Sequence, residues 1–344
     1  MRIAIDGMGG DNAPEEIIRG CVEAARQISS DEIYIVGQED AVRKELKKYR
    51  SVPDNIKIVN ATQIITGEDS PVRAVRTKKD SSMVKAISLV KEGKCDAVVS
   101  AGNTGALMAA ALLMLGRIKG IERPAIGTVY PQADGRLTFL VDAGANPECR
   151  PSQLVQFALM GSIYMEKVLD VESPRVGLVN IGTEEHKGTP VLRETYGLLK
   201  KSGLNFVGNV EAREIPYGPA DVFVCDGFTG NNLLKLTEGL ATRAVGMIKD
   251  MFMANPLTKI SGVVMINQIK ELKSMLDYSE YGAAPLLGIK GAALKMHGSS
   301  KADAVKSAIL RSRSYVEENV VEIIDRSVEQ YQELIKETDE TDDD

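Results

Sequence analysis

The run Asp96-Ala97-Val98-Val99-Ser100, followed by Ala101-Gly102-Asn103-Thr104-Gly105 and a helix-period segment to about Ile118, decides the fold. A short apolar strand ends in a loop of glycine and small polar residues, and a helix follows. The same unit recurs along the chain. Ile3-Ala4-Ile5 leads into Asp6-Gly7-Met8-Gly9-Gly10-Asp11-Asn12, with Pro14 suited to the opening turn of a helix to about Ile28. Leu137 to Val141 leads into Asp142-Ala143-Gly144-Ala145-Asn146, then a helix near Pro151 to Val168. Val176 to Asn180 leads into the loop 181–188, and Val222 to Cys225 leads into Asp226-Gly227-Phe228-Thr229-Gly230-Asn231. Ala292 to Met296 leads into His297-Gly298-Ser299-Ser300 and a long helix from about Lys301 to Ile335. Strands alternating with helices predict an α/β fold, a mainly parallel sheet with helices on both faces. Ligands bind such sheets at the carboxyl edge, where the strand-to-helix loops lie. Six glycine-bearing loops at one edge predict one cleft.

Residues 233–276 break the pattern. Leu233 to Met253 reads as one helix, Asn255-Pro256 breaks it, and Leu257 to Leu276 reads as a second. That is an αα-hairpin inserted into a single α/β unit spanning 1–336. Residues 119–136 and 210–220 read as connecting loops, and 337–344 as a disordered acidic tail.

Composition narrows the function. The chain has 344 residues and a formal charge of −6. Six acids and no base lie between Glu337 and Asp344, so residues 1–336 carry 42 acids against 42 bases. A neutral body argues against a nucleic-acid binder that neutralises phosphates through bulk charge. The four cysteines form no CxxC pair, which fits a reducing compartment. Two histidines exclude a multi-histidine metal site. The longest apolar run, Ala106 to Leu115, is too short to span a bilayer. The N-terminus has no signal-peptide shape. A cytoplasmic location is expected, with any membrane contact peripheral.

The residues suggest anion chemistry. The first loop lacks a Walker lysine, and Gly7-x-Gly9-x-x-Asn12 has Asn where the dinucleotide motif takes Gly or Ala. Its glycines still let backbone N–H groups approach an anion at a helix start, or simply make a tight turn. Asn103 and Thr104 add side-chain donors to Gly102 and Gly105. Lys187 sits in a strand-to-helix loop where a cation can clamp an anion, unless Glu184 or Glu185 pairs with it. Asp226 ends a strand; it can orient Lys187 or His297, or cap a helix. His297 also ends a strand and is catalytic or structural. Arg73, Arg76, Lys78 and Lys79 form a basic cluster before a helix capped by Ser81 or Ser82.

Taken in order, several motifs closely resemble the PlsX family, the acyl-acyl carrier protein:phosphate acyltransferases of bacterial phospholipid synthesis. They are Met8-Gly9-Gly10-Asp11, Ser100 to Met108, Gly120 to Pro124, Asp142 to Asn146, Asn180-Ile181-Gly182, Lys187-Gly188, Cys225 to Asn231 and His297-Gly298. The resemblance covers Met1 to about residue 330. It implies a fold related to isocitrate/isopropylmalate dehydrogenases and phosphotransacetylases, usually a homodimer. It implies that inorganic phosphate attacks the thioester of a long-chain acyl carrier protein, giving acyl phosphate without cofactor or metal. On this reading Lys187, Asp226, Asn231 and His297 are the catalytic candidates. Gly9, Gly10, Asp11, Asn103, Thr104, Gly105 and Asn146 are the phosphate or substrate contacts. Direct transfer is the expected route, because no base adjoins Cys225 to support an acyl-enzyme. The basic cluster 73–79 is one docking candidate for the acidic carrier.

The product is lipid-like, and the hairpin offers a means of delivering it to an anionic membrane. Met247 and Met251, and Ile248 and Phe252, lie one helical turn apart. Leu257, Ile260 and Val264 share a stripe flanked by Lys249, Lys259, Lys270 and Lys273. Met251, Phe252, Leu257, Ile260 and Val264 are the expected membrane contacts. The competing fate of such stripes is core or dimer packing. Two other functions compete: a nicotinamide- and metal-dependent decarboxylating dehydrogenase of the same fold, for which no paired-aspartate motif is found, and a non-catalytic membrane-associated scaffold, against which the retained edge loops argue.

Overall fold

The computed structural model describes residues 1–132, 135–266, 268 and 283–341. Among these residues eleven strands form one sheet. They are β1 (Arg2–Asp6), β2 (Glu32–Gly37), β3 (Ile56–Asn60), β4 (Ala97–Ser100), β5 (Ala125–Pro131) and β6 (Leu137–Val141). Then come β7 (Val176–Asn180), β8 (Phe206–Glu211), β9 (Val222–Val224), β10 (Ala284–Leu287) and β11 (Ala292–Lys295). The helices are α1 (Glu15–Gln27), α2 (Glu39–Leu46), α3 (Pro71–Thr77), α4 (Ser82–Lys91), α5 (Thr104–Met114) and α6 (Pro151–Val168). They continue with α7 (Pro190–Lys201), α8 (Gly227–Met253), α9 (Pro256–Val264), α10 (Ala302–Glu317) and α11 (Val320–Thr341).

Strand periodicity builds two cores. Ile3, Ile5, Val99, Phe139 and Val141 enter one cluster, which also takes Ile17 of α1, Val155 of α6 and Val305 of α10. Their neighbours Ala4, Val98 and Leu140 face the other way, against Met83 of α4 and Leu107 of α5. Successive side chains of a strand point to opposite faces, so nearly continuous apolar strands require cover on both. The α/β expectation therefore holds. Close approach fixes the helices in place: a Cβ on Gly20 of α1 would lie 2.5 Å from the Cβ of Val305.

The sheet order is β3-β2-β1-β4-β11-β10-β5-β6-β9-β7-β8. The strands β3, β2, β1, β4 and β11 run parallel, as do β6, β9, β7 and β8. Between the two blocks lie three antiparallel pairings, β11–β10, β10–β5 and β5–β6. Three reversals leave the blocks running in opposite directions. The expectation of six loops at one edge is thus corrected. The loops after β1, β4 and β11 leave by one edge, and those after β6, β7 and β9 by the other.

Other expectations are also revised. The segment 119–136 contains β5, and 210–220 contains the end of β8 and a 3-10 turn, Ala212–Tyr217. The long C-terminal helix is two helices, broken where Asn319 takes a left-handed φ of 51°. Asparagine tolerates that conformation better than most residues. The helix α11 continues to Thr341, into the expected tail.

The hairpin forms as α8 and α9. Pro256 opens α9, and Asn255 caps it: its side-chain oxygen accepts from Thr258 N at 3.0 Å, while Thr258 Oγ1 accepts from Asn255 N at 3.1 Å. The helix α9 ends at Val264; of the expected second arm, 267 and 269–276, with Lys270 and Lys273, lie outside the described residues. Leu257 is 78% exposed and Val264 74%, and Met251 and Ile260 are exposed as well. Phe252 is not. It packs on Gly262, where a Cβ would stand 3.0 Å from the Cβ of Phe252. Its ring holds the two arms together rather than facing outward.

Candidate active site

Three loops of the first block interlock. Asp6, buried at the end of β1, accepts from Ser100 Oγ at 2.7 Å and from Met8 N at 3.3 Å. Burial pushes its carboxyl pKa up, and these donors oppose the shift. Gly9 fits only without a side chain, since a Cβ would lie 2.4 Å from Asp6 Oδ2 and 2.7 Å from Gly102 N. Gly10, at φ +98°, turns the chain so that Asp11 N donates to Gly298 O at 2.8 Å. The loops after β1, β4 and β11 are thereby fastened to one another.

Asn103 caps α5, its Oδ1 accepting from Ala106 N at 3.0 Å. Its Nδ2 donates to the carbonyls of Thr66 and Gly67, both at 3.2 Å. The amide expected to contact phosphate is therefore engaged at both ends within the protein. Beside it, α3 leans on α5, with Pro71 against Gly105. Arg73, Arg76 and Lys79 are exposed there, while Lys78 pairs with Asp69 at 2.6 Å.

The second block is organised by Asp142. Its buried carboxylate accepts from the backbone N–H groups of Ile126, Gly144, Ala145 and Asn146, and from Asn146 Nδ2. Asn146 also donates to Pro124 O at 2.8 Å, so its side chain fastens the loop and does not line the cavity. The start of α8 presses against this loop. A Cβ on Gly230 would be 2.0 Å from Asp142 O. Asp226 caps α8, accepting from Thr229 N at 2.7 Å. Asn231 lies beside Gly144, its Oδ1 3.5 Å from where a Cβ of that glycine would be.

The two sets of loops meet across a cavity of about 710 Å³ that lies over β5 and β10. Gly10, Asp11, Asn103, Thr104, Gly105, Asn231 and His297 line it, as the sequence reading expected of one site. Gly9 is covered by Asp6 and Gly102 and stands behind the wall. Lys187 and Asp226 do not line the cavity. The loop of Lys187 follows β7, two strands from β6, and closes on itself: Lys187 N donates to Glu184 O at 3.1 Å, and Asn180 Nδ2 to Lys187 O at 3.2 Å.

Two cations that the sequence reading passed over do line it, Lys235 and Lys295. Lys235 belongs to α8 and bonds Glu238 at 2.8 Å. Lys295 ends β11. Its signal was a lone charge in the apolar run Ala292 to Met296. His297 is held by its neighbours. Ser299 N donates to Nδ1 at 3.2 Å, which assigns the ring proton of the neutral form to Nε2. Burial lowers the imidazole pKa, with Glu238, 3.5 Å from Nε2, opposing. Cys225 is buried beside Asp142 O, and burial raises its thiol pKa well above the ordinary value, which disfavours the thiolate a nucleophile needs.

Among the described residues no cluster of histidine, cysteine or carboxylate side chains suits a metal, and no helix is long and apolar enough to cross a membrane.

Comparison with known proteins agrees with the fold and adds a family. By fold, the chain is similar to a phosphotransacetylase from Streptococcus pyogenes, at a TM-score of 0.62 and 18% identity, covering 92% of this chain and 94% of that one. It is also similar to a 4-hydroxythreonine-4-phosphate dehydrogenase from Klebsiella pneumoniae, at 0.54 and 11%, covering 92% and 99%. In sequence, it is 51% identical to a phosphate acyltransferase of Alkaliphilus oremlandii, over 95% of this chain and 97% of that one. It is 51% identical to one of Clostridium acetobutylicum, over 96% and 99%. The profile of the family described as "Fatty acid synthesis protein" matches residues 1–323. With that profile across nearly the whole sheet and half of all residues shared with its relatives, the chain belongs to the fatty acid synthesis protein family, the PlsX phosphate acyltransferases.

Proposed function

We propose that the protein moves a long-chain fatty acyl group from the thioester of acyl carrier protein to inorganic phosphate, giving acyl phosphate for phospholipid synthesis. The observation that carries this reading is the cavity between opposed loops, with glycine-rich helix starts on one side and Asn231 on the other. A hydrogenphosphate oxygen attacks the thioester carbon. The tetrahedral oxyanion takes donors from Asn231 and from backbone N–H groups. The C–S bond then breaks, and the hydrogenphosphate proton passes to the departing thiolate, with His297 Nε2–H beside it. Hydrogenphosphate needs positioning more than deprotonation, and an ordinary thiol of pKa about 8.5 leaves without a strong acid. Buried, weakly acidic Cys225 favours this direct route over an acyl-enzyme. Lys187 and Asp226 act on this reading from outside the cavity, in shaping the loop after β7 and the start of α8.

The partners follow from the surface. Arg73, Arg76 and Lys79, exposed on and just after α3, suit an acidic carrier protein. A second copy of the chain would cover the exposed Leu236 and Leu240 of α8. The hairpin tip, with Met251, Leu257, Ile260 and Val264 exposed and Lys259 beside them, suits peripheral contact with an anionic membrane from the cytoplasm. The test is release of free carrier thiol from long-chain acyl carrier protein, followed against phosphate concentration. Release that needs phosphate and yields acyl phosphate is expected; thiol release independent of phosphate refutes the reading.

A further inference from the structure

We propose that Lys295 is the phosphate-binding cation of the cavity, a role that the motifs of the chain assign to no residue inside it. The inference rests on phosphate being the acyl acceptor. Alternation along β11 places Ala293 and Lys295 on the cavity face and Leu294 on the opposite core. A buried strand ordinarily ends there in an apolar side chain. An ammonium in that position costs desolvation energy, and such a cost is retained where the charge meets a ligand.

The surroundings leave Lys295 ready for one. Its Nζ donates to Ala101 O at 3.4 Å and to Met296 O, which aims the ammonium at the loop that opens α5. An ammonium has three donors, so one remains beyond these two carbonyls. Among the described residues no carboxylate forms an ion pair with it, although Asp6 and Asp11 face it from β1 and the loop after it. Lys235 faces it from α8, and His297 follows on its own loop. Burial lowers its pKa from the usual lysine range to about 8, with Asp6 and Asp11 opposing the shift and Lys235 adding to it. At neutral pH the group is therefore charged, and it loses its proton within an ordinary assay range. A phosphate between Lys295 and the N–H groups of residues 103–105 would meet a cation on one side and a helix start on the other.

The test measures binding and turnover separately. Phosphate-induced thermal shift and phosphate-dependent thiol release are followed from pH 6.5 to 9.5 in the wild type, Lys295→Met and Lys295→Arg. Lys295→Met should weaken phosphate binding and raise the phosphate KM about ten- to a hundredfold. The KM for acyl carrier protein should stay within about twofold. Wild-type phosphate affinity should fall as pH rises above about 8, because the ammonium is lost. Lys295→Arg should restore binding and remove that fall, since a guanidinium stays charged. If Lys295→Met does not fold, the Arg variant decides by its pH profile alone. An unchanged phosphate KM, equal rises for both substrates, a fall above pH 8 that persists in Lys295→Arg, or a wild type without a phosphate-induced shift overturns the assignment. Phosphate binding through Lys295 without phosphate-dependent thiol release would instead overturn the acyltransfer reading and leave this one standing.

Discussion

Gly230→Ala tests whether the seating of α8 sets the active-site geometry. An added Cβ would lie 2.0 Å from the backbone oxygen of Asp142, and real Cβ atoms stay beyond 3.0 Å. The helix start and the 142–146 loop must therefore separate by at least 1.0 Å. Neither side can yield through a flexible side chain. The separation breaks the 2.7 Å bond from Gly227 N to Asn146 O, a loss of about 1 kcal/mol. Overpacking adds about 1–3 kcal/mol. Alanine returns about 1 kcal/mol of helix propensity, so the net loss is about 1–3 kcal/mol. With an unfolding entropy of about 2.1 cal/mol/K per residue over 344 residues, the melting temperature should fall by about 1.5–4 °C. Activity should fall much further. Asn231 is the next residue, and a displacement near 1 Å costs about a hundredfold in rate. The assays are differential scanning calorimetry and thiol release. Gly197→Ala supplies the control: that glycine lies in α7 with nothing within 4 Å of the new Cβ, and the change should raise stability by about 1 kcal/mol. A Gly230→Ala protein with unchanged melting temperature and activity within twofold of wild type would refute the reasoning.

Cys225→Ser should keep most activity, and mass spectrometry should find no acyl adduct on the wild type incubated without phosphate; an adduct on Cys225 would overturn direct transfer. Reversing Arg73, Arg76 and Lys79 to Glu should raise the KM for acyl carrier protein at least tenfold, and by less at high salt, with the phosphate KM nearly unchanged. Equal effects on both substrates would remove the patch as a docking site. Leu257→Asp with Val264→Asp should abolish sedimentation with anionic liposomes and leave turnover of soluble substrate intact. Loss of folding or of turnover in that variant would make the stripe a packing surface, whereas Phe252→Asp should loosen the hairpin itself.

The sequence disclosed the fold class because strand, glycine loop and helix repeat within the span of a few residues, where local rules operate. Ser100 to Met114 and Asp142 to Val168 form where the pattern put them. It did not disclose the reversed second block, because β5 and β10 each make antiparallel pairs with strands whose partners no local pattern specifies. β5 lies in a segment, 119–136, whose glycines, prolines and charges read as a connecting loop, and β10 has only four residues, Ala284–Leu287. Site residues divided in the same way. Gly10 and His297 stand in loops, and Asn231 in the first turns of α8, where the backbone demands are written locally. Lys187 also looked local, but its distance from the cavity is fixed by strand order, which the motif does not encode. Lys295 was hidden for the opposite reason: lysine ordinarily marks solvent, and only the alternation of a buried strand shows that this one points inward.

The sheet order also bears on how the chain is made. The strand β4 pairs on one side with β1, which precedes it, and on the other with β11, almost two hundred residues later. The whole second block, from β6 to α7 and β9, is synthesised between them. While a ribosome makes that block, β4 presents an open hydrogen-bonding edge beside a completed β1, and α1 lacks the α10 surface on which Gly20 is closely packed. A nascent chain at that stage exposes both a strand edge and an apolar helix face, the conditions under which partly made proteins pair wrongly or recruit chaperones. The elements that emerge after that block, β10, β11 and α10, close that edge and cover that face. They also bring in Lys295 and His297, so the cavity acquires its second lysine and its imidazole in the same event that completes the first block.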